Sequence, residues 1–262
     1  MIGWERRGPV GVVTIDRPER RNALDTAHCE SLRAVLEEHR DVRALVVTGA
    51  GSAFCAGADL GSRFDEADAP EGGDAAAPEG GDPFHDVLQR LLEAVIDHPA
   101  PVIAAVNGPA LGAGTQLASV CDLRVAAAVA VFGIPASRLG IMISAGSTER
   151  LVGLMGLAHT TEMLLTGRRY TADEAQRIGL AHRVVDDALG AALDLADDIA
   201  ALAPLSVQGH KRALTLVARS ARAGPDAHAE IGALIERCVS SDDLAEGIRA
   251  FAEKRPPEFR GS

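Results

Sequence analysis

The chain alternates short, strand-like apolar runs with segments whose apolar residues recur at helical spacing. The runs "VGVVTI", "RALVVTG", "APVIAAVNG", "DLRVAA" and "AVFGI" are rich in valine, isoleucine and alanine, which is typical of buried strands. One helix is predicted from Asp25, a good N-cap residue, to about Glu38, and another over about 84–97. This order predicts an α/β or α+β protein with crossover connections.

From about Gly146 onward the pattern becomes mostly helical. "TADE" at 171–174 has the sequence of a capping box, which marks the start of a helix. A last helix is predicted over about 241–254, with Leu244, Ile248 and Phe251 on one face. No linker divides the chain into independent domains.

One segment follows neither period. The stretch "GSRFDEADAPEGGDAAAPEGGDPFHD", residues 61–86, is rich in glycine, alanine, proline and acidic residues. It is too long for an ordinary connection between two elements, so we expect a mobile insertion or a lid. Its composition fits plain disorder and a lid equally well.

Composition restricts the classes of function. The formal net charge is -11, which argues against a broad surface for nucleic acid or anionic membrane. The four cysteines are scattered without a C-x-x-C pair, and the histidines show no metal-ligand spacing, so we expect buried thiols and no metal site. No run approaches the roughly 18 apolar residues of a membrane span, and the start lacks a signal-peptide core, so a cytoplasmic protein is predicted.

Two loops carry the candidate chemistry. "CAGADL" and "LGAGTQL" each follow a buried strand and lead through small residues into a helix or tight turn. Small residues let another atom approach the main chain, and two N–H groups aimed at one point form an oxyanion hole for a carbonyl oxygen. A dinucleotide fingerprint fits poorly, because "GAGTQL" lacks the third glycine and an acid about 20 residues later. Close packing between helix and strand is the remaining alternative.

Four ordered motifs resemble the enoyl-CoA hydratase/isomerase, or crotonase, family. They are "RPERRNAL", "GAGSAFCAGADL", "PVIAAVNGPALGAGTQLASVCDLRVAA" and "FAEKRPPEF". The resemblance implies an α/β crotonase fold, a ClpP-like spiral of ββα units that forms the acyl-CoA-binding core over 1–200. It also implies a helical trimerisation region over 201–262, a homotrimer or dimer of trimers, and a coenzyme A thioester as ligand with no permanently bound cofactor.

The resemblance also implies roles for single residues. The oxyanion N–H groups belong to Ala58 and Ala113. Phe251 and Lys254 would reach toward the nucleotide, often that of a neighbouring subunit, although Phe251 could equally serve only to dock its helix. The remaining residues implied to line the CoA and substrate channel are Arg21, Ala23, Leu24, Ala56, Asp59, Leu60, Gly112 and Pro135.

The sequence departs from the family at two positions. Hydratases of this family use two glutamates, and here Gln116 and Ala136 stand in their places. Neither side chain can give or take a proton at neutral pH, so ordinary hydration should be very slow. Ser144 lies where some relatives that shift double bonds carry an acid. Two hypotheses follow: an acyl-CoA binder that presents lipids to a partner enzyme of lipid synthesis, or an active hydratase or isomerase that uses other acid and base groups.

Overall fold

The structure of the protein is a computed structural model that describes residues 1–59, 83–139, 141–219, 230, 233–234, 237, 240–253 and 255–262. The strands in this part of the chain are β1 (Ile2–Arg7), β2 (Val10–Ile15), β3 (Ala44–Gly49), β4 (Val102–Val106), β5 (Ala110–Leu111), β6 (Leu123–Ala127), β7 (Val131–Gly133), β8 (Arg169–Thr171) and β9 (Arg183–Val185). The α-helices are α1 (Thr26–Glu38), α2 (Pro83–Ile96), α3 (Ala113–Val120), α4 (Ala145–Thr166), α5 (Ala172–Arg177), α6 (Ala188–Ala200), α7 (Pro204–Arg219) and α8 (Asp242–Glu253).

A six-stranded sheet organises the described residues. Its order is β1-β2-β3-β4-β6-β9, with β1 antiparallel to β2 and every other pair parallel. A second sheet has the order β5-β7-β8, and α3 follows β5 directly along the chain. Because β2, β3 and β4 are parallel neighbours, the loops that follow them leave the sheet at one edge.

Strand β3 shows why the sheet lies between two apolar layers. All six of its residues are buried, as expected for a central parallel strand covered on both faces. Leu45 and Val47 belong to the larger core, which α1, α2 and α3 cover, whereas Ala44 and Val46 belong to a core under α6. Helix α6 turns four alanines spaced four residues apart toward that second core: Ala188, Ala192, Ala196 and Ala200. Their small side chains allow the helix to lie close to the sheet.

The fold confirms the main features predicted from the pattern. The sheet with covering helices and a helical C-terminal part agrees with the α/β architecture predicted from the pattern. Helix α1 begins after Asp25, whose side chain accepts a hydrogen bond from His28 N. Thr171 and Glu174 form the predicted capping box at α5.

One expectation is confirmed with an addition, and another needs correction. The part after Gly146 is mostly helical as predicted, but two strands that were not predicted, β8 and β9, interrupt it, and β9 pairs with β6 at an edge of the large sheet. These strands are three residues each, too short for a hydrophobic period to appear in the sequence. The predicted insertion over 61–86 also ends earlier, because α2 already begins at Pro83; its residues 61–82 lie outside the described part.

The described residues also bear on the other expectations. Cys29, Cys55 and Cys121 are buried free thiols, and burial raises the pKa of each to about 12; Cys238 lies outside the described part. Within the described ranges, no group of three or more His, Cys, Asp or Glu residues is placed to hold a metal ion. None of the helices described there is both long enough and apolar enough to cross a membrane.

Candidate functional site

Three loops meet at the edge where the parallel strands end. The segment 55–59 runs in an extended form between the turn at 21–24 and the strand β5. Leu24 N donates to Gly57 O at 2.8 Å, and Asp59 N donates to Leu24 O at 2.7 Å. On the other side, Leu111 N donates to Cys55 O at 2.9 Å. Backbone hydrogen bonds therefore hold the two glycine loops side by side.

Glycines make this close approach possible. Gly57 has φ +111°, and a Cβ built on it would lie 2.9 Å from Leu111 O and 3.7 Å from Ala113 N. A Cβ on Gly114 would collide with Cys55 O, so the first turn of α3 can sit against the 55–59 segment only because residue 114 is glycine. The sequence prediction that both loops carry closely approaching backbone is consistent with these contacts.

Ala58 and Ala113 each present a backbone N–H in this junction. Leu24 pairs with Gly57 O and Asp59 N, the pattern of a parallel bridge, which directs the N–H of Ala58 away from Leu24 to the side of Leu111 and Ala113. Ala113 is the first residue of α3, where a helix has no internal partner for an N–H group. Neither N–H group donates a hydrogen bond to a described residue. The arrangement can accept an oxygen that gains negative charge.

The turn before this junction is held by Asn22, a residue that sequence reasoning missed. Arg21 and Asn22 both have positive φ, 50° and 59°, and Asn22 is fully buried. The Asn22 amide donates to Ala50 O at 2.9 Å and to Ala53 O at 2.7 Å, which ties the turn to the first glycine loop. The residue type at position 22 was the sequence signal for this turn, because asparagine tolerates left-handed backbone and its amide can donate to nearby carbonyls.

Arg17 is a second support. Its Nη2 lies 2.8 Å from the buried carboxylate of Asp59, and its Nη1 lies 3.4 Å from Asp25. Asp59 is therefore occupied by an ion pair that fixes the end of the loop. Of the other residues predicted for the channel, Ala23 and Leu24 are buried, Arg21 is exposed, and Ala56 N donates to Arg21 O at 3.0 Å.

Gln116 lies on α3 at one end of a polar line of four side chains. Its Oε1 accepts from Ser147 Oγ at 2.9 Å. Ser147 Oγ lies 3.2 Å from Ser144 Oγ, which in turn lies 2.9 Å from Gln89 Oε1 on α2. Ser144 is also the N-cap of α4, because it accepts from Ser147 N. Among the described residues, the hydrogen-bond partners of Ser144 Oγ are on Gln89 and Ser147 and include no histidine or carboxylate, so its surroundings match a hydrogen-bonding residue and not a base.

Ala136 lies at the other predicted carboxylate position. It begins a 3-10 helix, Ala136–Leu139, and its half-buried methyl packs against the larger core. Pro135 precedes it and is also half-buried. Gly112 is the N-cap of α3 with φ 54°, and its N–H donates to Gly133 O at 2.8 Å, which joins α3 to β7.

The far end of α3 is closed by a buried arginine. The Arg124 guanidinium donates to the carbonyls of Ala118, Ser119 and Cys121 and, through Nε, to Leu180 O at 2.7 Å. Burial lowers the pKa of Arg124 to about 10, so the group is still charged at neutral pH. A cation at the C-terminal end of a helix is electrostatically favourable.

Three residues predicted for the channel are not fully described. Leu60 and Lys254 lie outside the described part of the chain, and only the backbone of Phe251, within α8, is described. Asp122 is structural: it accepts from Val102 N at 2.7 Å and pairs with the buried Lys211 at 2.8 Å.

The sequence of the chain is similar to those of known proteins. A family model described as enoyl-CoA hydratase/isomerase matches residues 5–262. The chain is 40% identical, over 100% of both chains, to the probable enoyl-CoA hydratase echA6 of Mycobacterium tuberculosis. It is 37% identical to the 2,3-dehydroadipyl-CoA hydratase of Escherichia coli, over 98% of this chain and 97% of that one.

The solved structures agree with the sequence relatives. The crystal structure of an enoyl-CoA hydratase from Bacillus anthracis superposes with a TM-score of 0.89 at 32% identity, covering 100% of this chain and 99% of that one. The match extends over the whole chain and is not confined to the two glycine loops. The chain belongs to the enoyl-CoA hydratase/isomerase family.

Proposed function

We propose that this protein binds acyl-CoA thioesters in an oxyanion-hole pocket and hydrates enoyl-CoA only slowly. Membership of the family implies a coenzyme A thioester as ligand. The observation that carries the proposal is the junction of the two loops. There the N–H groups of Ala58 and Ala113 make no hydrogen bond to a described residue, and neutral Gln116 and Ala136 stand where the resemblance implies the family's glutamates.

In this proposal, backbone N–H groups bind the thioester carbonyl oxygen. A thioester carbonyl oxygen that accepts from both N–H groups would exchange water for two fixed donors, and the contact strengthens as the oxygen gains charge. The helix dipole of α3, with Arg124 at its other end, adds to the positive potential at Ala113. Binding therefore needs no charged side chain at the carbonyl.

Gln116 and Ala136 cannot supply the proton transfers that hydration requires. Addition of water to an enoyl thioester needs one group that takes a proton and one that gives it, each worth on the order of 10²–10⁴ in rate. An amide and a methyl do neither. The apolar Ala136 also gives the neighbouring acyl chain an uncharged wall, which favours retention of a saturated chain.

An active hydratase or isomerase is the second candidate. The names of the relatives favour it, because those in Mycobacterium tuberculosis and Escherichia coli are named as hydratases. Its acid and base would have to be groups other than Gln116, Ala136 and Ser144, since Ser144 is engaged with Gln89 and Ser147. We place it second for that reason.

Calorimetry on a saturated acyl-CoA series, with free CoA as control, tests the proposal. We expect affinity to rise with chain length until the pocket is filled, by at most about 0.8 kcal/mol for each buried methylene. Equal affinity for free CoA and palmitoyl-CoA would contradict it. On the same sample, the loss of crotonyl-CoA absorbance should be far slower than for an ordinary hydratase. Rapid hydration would favour the second candidate.

A further inference from the structure

The polar line from α2 to α3 contains one atom without a partner. The Nε2 atom of Gln89 is sealed from solvent and forms no hydrogen bond, and it is the single such side-chain atom among the described residues. Its Oε1 atom, in contrast, lies 2.9 Å from Ser144 Oγ. A buried N–H group without an acceptor is unfavourable, because it gives up its hydrogen bonds to water and gains none in return.

Exchanging the two ends of the Gln89 amide removes this cost. The two ends have the same shape, so hydrogen bonds decide which end carries the nitrogen. With the ends exchanged, Nε2 donates to Ser144 Oγ, and the sealed atom becomes a carbonyl oxygen, which proteins leave unpaired more readily than an N–H group. The hydroxyl proton of Ser144 is then free to point along the line toward Ser147.

This orientation sets the direction of every bond that follows. Ser144 donates to Ser147 over 3.2 Å, and Ser147 donates to Gln116 Oε1 over 2.9 Å. Each hydroxyl then gives its one proton forward. The oxygen of the Gln116 amide is occupied, so the amide NH₂ is the end that stays available. Gln116 Nε2 donates to no described residue and, unlike Gln89 Nε2, is not sealed from solvent.

The position of Gln116 relates that NH₂ group to a bound thioester. Gln116 follows Ala113 by three residues on α3, and residues three apart share one face of a helix. A thioester whose carbonyl oxygen accepts from Ala113 N–H has its C3 atom two bonds from the carbonyl carbon, on the side of the acyl chain. A donor one turn along the same helix can therefore reach an oxygen carried on C3.

We propose that the line Gln89–Ser144–Ser147–Gln116 fixes an amide donor beside C3 and selects 3-oxoacyl-CoA thioesters, whose C3 oxygen only accepts hydrogen bonds. The inference rests on the proposed function, because it assigns a substrate class to the same pocket. Gln116 makes the contact, whereas Ser147, Ser144 and Gln89 are positioning residues that act through it. The expected preference over a saturated chain of equal length is about 3- to 10-fold, the worth of one hydrogen bond.

Calorimetry with three four-carbon ligands tests both the donor and its direction. We expect acetoacetyl-CoA to bind more tightly than butyryl-CoA, with 3-hydroxybutyryl-CoA no tighter than acetoacetyl-CoA. If 3-hydroxybutyryl-CoA binds most tightly, the amide presents its oxygen and the proposed direction is wrong. Equal affinities for acetoacetyl-CoA and butyryl-CoA would overturn the selection while leaving acyl-CoA binding intact. If no CoA thioester binds, the proposed function fails and this inference fails with it.

Two variants and one control test whether the line Gln89–Ser144–Ser147–Gln116 causes the preference for acetoacetyl-CoA over butyryl-CoA. Gln116→Met keeps the side-chain length and removes the donor, so the ratio of the two affinities should fall to about 1. Ser147→Ala should lower the ratio while butyryl-CoA binding stays unchanged, because Gln116 loses the bond that orients it. Thr160→Val removes a buried hydroxyl elsewhere on α4 and should keep the wild-type ratio. A general loss of structure would weaken both ligands alike. A ratio that Gln116→Met leaves unchanged would contradict the assignment.

Discussion

At the scale of single residues, the proposed function depends on Gln116 and Ala136. Gln116 is buried and accepts from Ser147, so a carboxylate of the same length at this position would find a donor already in place. Ala136 is half-buried at the start of its short helix and packs against apolar neighbours. The two positions therefore differ in how well they would tolerate a charge.

Restoring both carboxylates should raise hydration of crotonyl-CoA. We predict that Gln116→Glu with Ala136→Glu gives a measurable rate, because one group can then take a proton from water and the other can give one. The gain should fall short of a natural hydratase, since a glutamate at Ala136 lacks a supporting partner and burial raises the pKa of such a carboxyl. The measurement is the loss of enoyl absorbance with time.

The single variants are the controls for this experiment. Each should gain little, because the two groups act as a unit. A double variant that folds and binds ligand but hydrates no faster than the wild type would show that these positions do not flank the double bond.

Removing one backbone donor should weaken binding without touching any side-chain chemistry. We predict that Ala113→Pro raises the Kd for an acyl-CoA by a factor that corresponds to about 1–3 kcal/mol, because proline has no N–H group. Thr26→Pro is the matched control, since Thr26 is also the first residue of a helix, α1, where proline is tolerated. If Ala113→Pro is folded by circular dichroism and binds with an unchanged Kd, no oxyanion donor lies at this position.

At the scale of elements, α3 carries the site at one end and is anchored at the other. All eight of its residues are buried, and its N-cap is bonded to β7 through Gly133. At its C-terminal end, Arg124 supplies the side-chain donor for the carbonyls of Ala118, Ser119 and Cys121. The helix is therefore fixed at both ends, which keeps the N–H of Ala113 in one place.

Loss of the Arg124 guanidinium should be costly. We predict that Arg124→Met lowers the free energy of unfolding by about 2–4 kcal/mol, because several buried carbonyls lose their donor at once. Arg33→Met is the control: Arg33 forms surface ion pairs with Glu30 and Glu37, which are worth little. Urea denaturation measures both. A cost for Arg124→Met no larger than that for Arg33→Met would mean that water replaces the guanidinium.

The elements differ in how readily the sequence predicts them. Helix α1 and the capping box of α5 were predicted because caps and periodicity are local signals. Strands β8 and β9 were missed, since three residues are too few to show a hydrophobic period and their pairing is decided by partners distant in sequence.

The residues of the candidate site also differ in how readily the sequence predicts them. The glycine loops could be predicted from the sequence, because glycine marks close backbone approach at Gly57 and Gly114. The supports Asn22, Arg17 and Ser147 could not, because nothing in the local sequence says that their partners lie on another loop or helix. Long-range hydrogen bonds of this kind appear only once the chain is folded.

At the scale of the whole molecule, the described C-terminal helices expose several large apolar side chains. Leu214 and Val217 on α7 are 70% and 51% exposed, and Leu244 and Ile248 on α8 are 43% and 64% exposed. Residues three apart on a helix share a face, so Leu214 and Val217 form one patch. Exposed apolar patches on a soluble protein mark interaction surfaces.

We predict that the 201–262 region joins subunits into a trimer or a dimer of trimers. Size-exclusion chromatography with light scattering should give the mass of three or six copies of the 27.2 kDa chain. Leu214→Asp with Val217→Asp should shift the protein toward smaller species, because charges on this patch would have to be buried in the interface. Val129→Asp changes an equally apolar residue that is 72% exposed outside this region, and it should keep the wild-type mass. A wild type that stays monomeric at micromolar concentration, or dissociation by Val129→Asp alone, would contradict this assignment of the interface.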